Sequence, residues 1–200
     1  VVLFLLFATK KALPAGIRPT DDVDIVVELA TYADHTQMEE RLRSLGFMND
    51  VSSGVICRYT INGIIVDIMP TDSTVLGFSN KWYAEGFNNA VPYTLDDETV
   101  ILIFSLPYFL VSKWEAHKSR GGDLRTSRDF EDLVYIFEHC KNFDDQLLSG
   151  PDSVRQYLMQ ELFPLLDHPD FEEGLYSHLE NGANAEKLIA KIKAGLGLPF

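Results

Sequence analysis

The chain of 200 residues carries a formal net charge of −13, with 46% hydrophobic and 24% charged residues. That suits one globular domain, or a small catalytic domain with a helical extension. The acid excess excludes broad, non-specific nucleic-acid binding but leaves room for a local basic groove.

The opening run Val1–Ala8 is too short to span a membrane and lacks the basic residues that precede a signal-peptide core. It predicts a buried first helix over residues 1–12, ended by Pro14 and Gly16. The absence of a starting Met implies residues before Val1. No other segment approaches transmembrane length, so a cytoplasmic protein with no membrane contact is expected. Cys57 and Cys140 lie in apolar-periodic segments without a C-x-x-C or a neighbouring His cluster. They read as buried free thiols, with a disulfide as the alternative.

Arg18-Pro19-Thr20-Asp21-Asp22-Val23-Asp24 then runs into an apolar strand, residues 23–29. Asp22 and Asp24 are two apart, which in a strand puts both on one face. Side-by-side carboxylates repel unless a proton or a cation sits between them, and hard Mg²⁺ is a suitable cation. The competing account is a solvated acidic turn. Thr36 and Glu39 make a capping box for a helix over Gln37–Leu45, with Met38, Leu42 and Leu45 on one face and Gly46 as the stop.

Asn62-Gly63 lies between strand-like runs, Val55–Ile61 and Ile64–Met69, and signals a hairpin with a type I′ turn. Asp67 therefore sits on the second arm, in a run apolar on both faces that reads as a central strand. A carboxylate buried there needs a partner. A metal shared with Asp22 and Asp24 is one candidate; a Lys or Arg, or a wet strand edge, is the other. A short helix at Lys81–Phe87 and two strands, Val91–Leu95 and Thr99–Phe104, complete the first half.

Leu106–Cys140 reads as two helices broken by Gly121-Gly122. Lys113, His117 and Arg120 share a face of the first, and Asp129 and Asp132 a face of the second, with Arg125 and Arg128 between them. A helical hairpin with solvated charges accounts for these residues individually. His117 fits a packing or hydrogen-bonding role better than that of a base. From Phe143 onward the chain is helical and acidic, closing on an amphipathic helix at Ala183–Leu196 with a basic polar face. A packing cap for the core is the favoured role.

The order of D-x-D before its apolar strand is opposite to that of haloacid-dehalogenase-type phosphatases, and resembles the nucleotidyltransferase superfamily. More narrowly, R-P-T-D-D-V-D-I-V-V resembles the AbiEii/AbiGii-type nucleotidyltransferases, which include toxins of bacterial toxin–antitoxin pairs and the MenT-type relatives. K-W-E-A-H-K-S-R with the later R-D-F-E-D-L is similar to a downstream signature of that family, so the resemblance covers roughly residues 17–140. It implies an α/β (α+β) fold, a palm with a small mixed twisted sheet flanked by helices. Residues 1–105 would form the palm core and 106–200 a helical region, its 106–140 part completing the site and 141–200 capping it.

The resemblance also implies an activity: metal-dependent transfer of a nucleoside monophosphate from an NTP to a hydroxyl, with pyrophosphate leaving. Asp22, Asp24 and Asp67 would hold Mg²⁺ or Mn²⁺. Lys113 and Asp129 would join them as catalytic residues, and Arg18, Thr20, Arg120 and Arg128 would contact phosphate or substrate. The acceptor would be RNA, including tRNA, reached through the Lys113–Arg128 basic patch, or a protein; a cognate antitoxin would be a further partner. The Gly-Gly or Gly-Ser that the family carries upstream of D-x-D is absent between Val1 and Lys11. That departure supports a second reading, an inactive nucleotide-binding or protein-interaction module on the same fold. A third is a small-molecule, antibiotic-type nucleotidyltransferase.

Overall fold

A tight turn fixes the register of the sheet. Asn62 and Gly63 both take positive φ, 50° and 81°, the geometry of a type I′ turn whose twist matches that of the strands it joins. The flanking strands, β4 (Arg58–Ile61) and β5 (Ile64–Pro70), consequently pair from Ile61↔Ile64 back to Arg58↔Asp67. This computed structural model describes residues 2–4, 22–95, 98–179 and 184–198.

The chain is mixed α/β and divides into a sheet unit, residues 1–105, and a helical unit, residues 106–200. In the sheet unit, β5 pairs in parallel with β2 (Asp22–Val27), while β3 (Met48–Asn49) lies outside β4. These four strands form a mixed block. β6 (Val91–Thr94) and β7 (Val100–Ile103) form an antiparallel hairpin. β1 (Val2–Phe4) joins block to hairpin, antiparallel to β2 and parallel to β7, giving the order β3-β4-β5-β2-β1-β7-β6.

Residues 2–4 are therefore a strand, which corrects the helix expected over 1–12; the rest of that stretch lies outside the described residues. A short apolar run carries no period to separate helix from strand, and here the sheet takes it as the bridge.

Strand alternation gives the block two unlike faces. One carries Val23, Ile25, Val27, Tyr59, Val66 and Ile68, packed with Met38 and Leu42 of α1 (Tyr32–Ser44) and with Val75. α1 starts a turn earlier than expected. Thr31, not Thr36, is the N-cap, in a capping box with Asp34, and Thr36 instead donates its hydroxyl to the Tyr32 carbonyl. Leu45 falls at the C-cap and is 52% exposed, off the packed stripe. The other face carries Asp22, Asp24 and Val26 of β2, Ile65, Asp67 and Met69 of β5, and Arg58 and Thr60 of β4. α2 (Tyr83–Asn88) packs near its far end, where the Tyr83 hydroxyl donates to Met69 Sδ.

The helical unit runs through α3 (Leu106–Arg120), α4 (Arg128–His139), α5 (Phe143–Leu148), α6 (Asp152–Leu162), α7 (Pro169–His178) and α8 (Ala185–Gly195). Phe109, Phe130, Phe137, Phe143 and Phe171 are fully buried in its core. α8 approaches α5 so closely that a methyl on Gly195 would lie 2.7 Å from Phe143 Cε1, which is why a residue without a side chain stands there. No helix among the described residues is long and apolar enough to cross a membrane.

Candidate functional site

The acidic face of the sheet unit is built by register. In the parallel pairing of β2 with β5, Asp24 stands opposite Asp67 and Asp22 opposite Ile65. Neighbouring strands run about 4.8 Å apart, so Asp24 and Asp67 are direct neighbours, with Asp22 next along the same face. Asp22 is exposed, Asp24 half-buried and Asp67 buried.

Asp67 is held by a residue that the motif reading passed over. Arg58 donates from Nε to Asp67 Oδ1 at 2.8 Å and from Nη2 to Oδ2 at 2.7 Å. This is a two-point clamp, the stronger form of an ion pair. The two side chains are 24% and 12% exposed. Hydrogen bonding to Asp67, then the charges of Asp67, Asp22 and Asp50, holds the guanidinium charged against the opposing effect of burial. The signal was present in the sequence: counting back from a two-residue Asn-Gly turn places residue 58 opposite residue 67.

The negative potential extends to Cys57, a buried free thiol. Its pKa is pushed up to about 11, first by burial and then by the charges of Asp67 and Asp24. It is an inert thiol, since reactivity needs the thiolate. Cys140 is also free and half-buried, its thiol pKa raised chiefly by burial.

Carboxylates suit a hard divalent cation as donors, but three of them are not gathered around one point here. Asp67 gives both oxygens to Arg58. Among the described residues no group of three or more His, Cys, Asp or Glu side chains is placed to hold a metal ion. The three-carboxylate cage therefore does not fit this arrangement. Arg18 and Thr20 lie outside the described residues.

The other site candidates belong to the helical unit, where they neutralise one another. Lys113 Nζ lies 2.7 Å from Asp132 Oδ2 and 3.9 Å from Asp129 Oδ1, with all three side chains at most 13% exposed. Arg120, 69% exposed, donates to Asp129 Oδ2. The expected basic patch is largely ion-paired. Lys118 meets Glu161 and Glu115, and Arg125 meets Asp123 and Glu173. Arg128 opens α4 and is exposed.

His117 is buried, 2.7 Å from the Ser127 hydroxyl through Nδ1, and its ring packs beside Trp114 and Phe130. Burial lowers its pKa, against an opposing effect of Asp129. Ser127 also caps α4 by accepting from Phe130 N–H, so His117 links the end of α3 to the start of α4.

The class that these observations define is a mixed α/β protein with an acid-rich sheet face. Compared with known protein families, curated proteins and solved structures, the chain shows no match.

Proposed function

We propose that the chain is a nucleotidyltransferase acting at the acidic face of its sheet unit. The observation that carries this reading is the β2–β5 register, which sets Asp24 opposite Asp67 with Asp22 on the same face. An arrangement of that kind concentrates negative charge where a divalent cation and a nucleoside triphosphate can be brought together. The reaction is in-line attack of an acceptor hydroxyl on the α-phosphorus, with pyrophosphate leaving. Asp22 and Asp24 are the residues that would hold Mg²⁺ or Mn²⁺. The acceptor is RNA, a protein or a small molecule, and the resemblance to toxin-type members extends the proposal to a cognate antitoxin as partner. Pairing of Lys118, Arg120 and Arg125 with acids weighs against a large RNA footprint, since phosphate contacts need uncommitted cations.

One observation favours the second reading, an inactive binding module. A guanidinium clamped on Asp67 stands where the resemblance would put a catalytic cation. Incubation of the purified chain with each α-labelled nucleoside triphosphate, with and without tRNA, separates the two. Transfer by the wild type that falls at least about 10²-fold in Asp24→Ala, at matched folding, supports the enzyme. Nucleotide binding without transfer to any acceptor, unchanged in Asp24→Ala, establishes the binding module instead.

A further inference from the structure

The turn that sets the register of the sheet is also a chemically labile dipeptide. We propose that Asn62 is a deamidation site held unreactive by the fold: the β4–β5 turn keeps it from cyclising, and opening of the hairpin releases it. The chemistry is that of the backbone and needs no ligand, so it stands apart from the transferase reading.

Asparagine is among the thermolabile side chains, and Asn62 is followed by Gly63, whose missing Cβ leaves its nitrogen unobstructed. In the reaction the Gly63 backbone nitrogen attacks Asn62 Cγ. A C–N bond forms there, the bond from Cγ to the side-chain nitrogen breaks, and ammonia leaves with the proton given up by the Gly63 nitrogen. The product is a succinimide ring. Water then opens either of its two carbonyl–nitrogen bonds, leaving aspartate or isoaspartate at position 62, with NH exchanged for O overall. Asn62, Gly63 and Ile64 are all exposed, so water reaches the turn.

The folded geometry opposes the first step. Asn62 at φ 50° and Gly63 at φ 81° are the left-handed pair of a type I′ turn. Cyclisation requires rotation about the Asn62 Cα–C bond until the Gly63 nitrogen eclipses Cβ. In the left-handed region that nitrogen lies on the far side of the bond from Cβ, out of reach of Cγ. The turn is held there by the strands it joins, which stay in register from Ile61↔Ile64 to Arg58↔Asp67 and end on the two-point ion pair. Tyr59 and Val66, a pair between those ends, are buried. Reaction therefore waits on partial unfolding that opens the hairpin.

The two products differ in consequence. Asp-Gly is itself a favoured type I′ pair, so aspartate keeps the turn. Isoaspartate routes the main chain through the former side chain and lengthens the loop by a carbon. The two-residue turn is then lost, and with it the register that sets Arg58 opposite Asp67. A second Asn-Gly, Asn181-Gly182, lies outside the described residues, and peptide mapping follows it separately.

The test ages the full chain in mildly alkaline buffer, folded or in unfolding urea at the same pH. Peptides carrying residue 62 are resolved by liquid chromatography and mass spectrometry into asparagine, succinimide, aspartate and isoaspartate forms. Val66→Ala, which thins the core beneath the hairpin, is aged alongside, and Asn62→Asp supplies the product that keeps the turn. Asn62 should be lost at least about tenfold more slowly from the folded wild type than in urea, with Val66→Ala between the two. Chains carrying isoaspartate, separated after ageing, should melt below Asn62→Asp. Equal rates in the folded and unfolded chain overturn protection by the turn, and persistence of Asn62 in urea overturns the site itself. Isoaspartate chains that melt with Asn62→Asp overturn the effect on register. Should Val66→Ala fail to fold, the two wild-type rates still decide the matter.

Discussion

The two units use the same ingredients, carboxylates facing long cationic side chains, in different proportions. On the sheet, Asp22, Asp24 and Asp67 are set against Arg58. Between α3 and α4, Asp129 and Asp132 are set against Lys113 and Arg120. The helical cluster is balanced and its inner members are buried, which is what a structural network requires. The sheet cluster has more acid than base among these four residues, and its acids grade from buried Asp67 to exposed Asp22. Two clusters built from the same side-chain types thus differ in how far their acids are withdrawn from solvent.

The sharpest way to break this comparison is to cut one charge from each cluster. Lys113→Ala removes the cation 2.7 Å from Asp132 and weakens the compensation of Asp129, so thermal or urea unfolding should show a loss of about 3 kcal/mol. Asp24→Asn in the sheet cluster should cost less than about 1 kcal/mol, because it relieves repulsion from Asp67. Equal costs would erase the distinction between the buried helical cluster and the more open sheet cluster.

A smaller effect is expected at the turn that sets the sheet cluster. Gly63 sits at φ 81°, so Gly63→Ala should cost about 1–2 kcal/mol in the same unfolding measurement. The comparable change at Gly122, whose φ is not positive and whose nearest neighbour would be 3.7 Å away, should be nearly silent.

The smallest effect is a pH slope belonging to the helical unit. Burial lowers the His117 pKa in the folded chain. Above the ordinary imidazole value of about 6.5, both states hold it neutral and nothing is lost. As pH falls below that value the unfolded chain takes up a proton that the folded chain resists, so stability declines until the folded pKa is reached. Melting temperatures between pH 7.5 and 5 should show this decline, and His117→Gln should flatten it.

Much of the local structure was legible in the sequence because short-range chemistry decides it. Asn62-Gly63 required positive φ at two successive residues, and this dictated a hairpin whose register pairs Arg58 with Asp67. The spacing of Asp22 and Asp24 dictated a common face once they lay in a strand. Gly121-Gly122 separated α3 from α4, and the heptad-like spacing of Lys113 and Arg120 put both on the side where Asp129 and Asp132 meet them. The start of α1 was less legible, because Thr31–Asp34 and Thr36–Glu39 are both plausible boxes and only packing of the stripe beneath chooses between them.

What only the tertiary structure decided was partnership between segments distant in sequence. Nothing local says that β2 lies parallel to β5 in the register that puts Asp24 beside Asp67, or that Val2–Phe4 is a strand between β2 and β7. Nor does a helical wheel say whether Lys113 faces a phosphate or Asp132. Local propensities act through a residue's own backbone and its neighbours within about one turn. Pairing across a sheet or between helices is chosen by the burial of whole faces, and that choice is made by the chain folding as a unit.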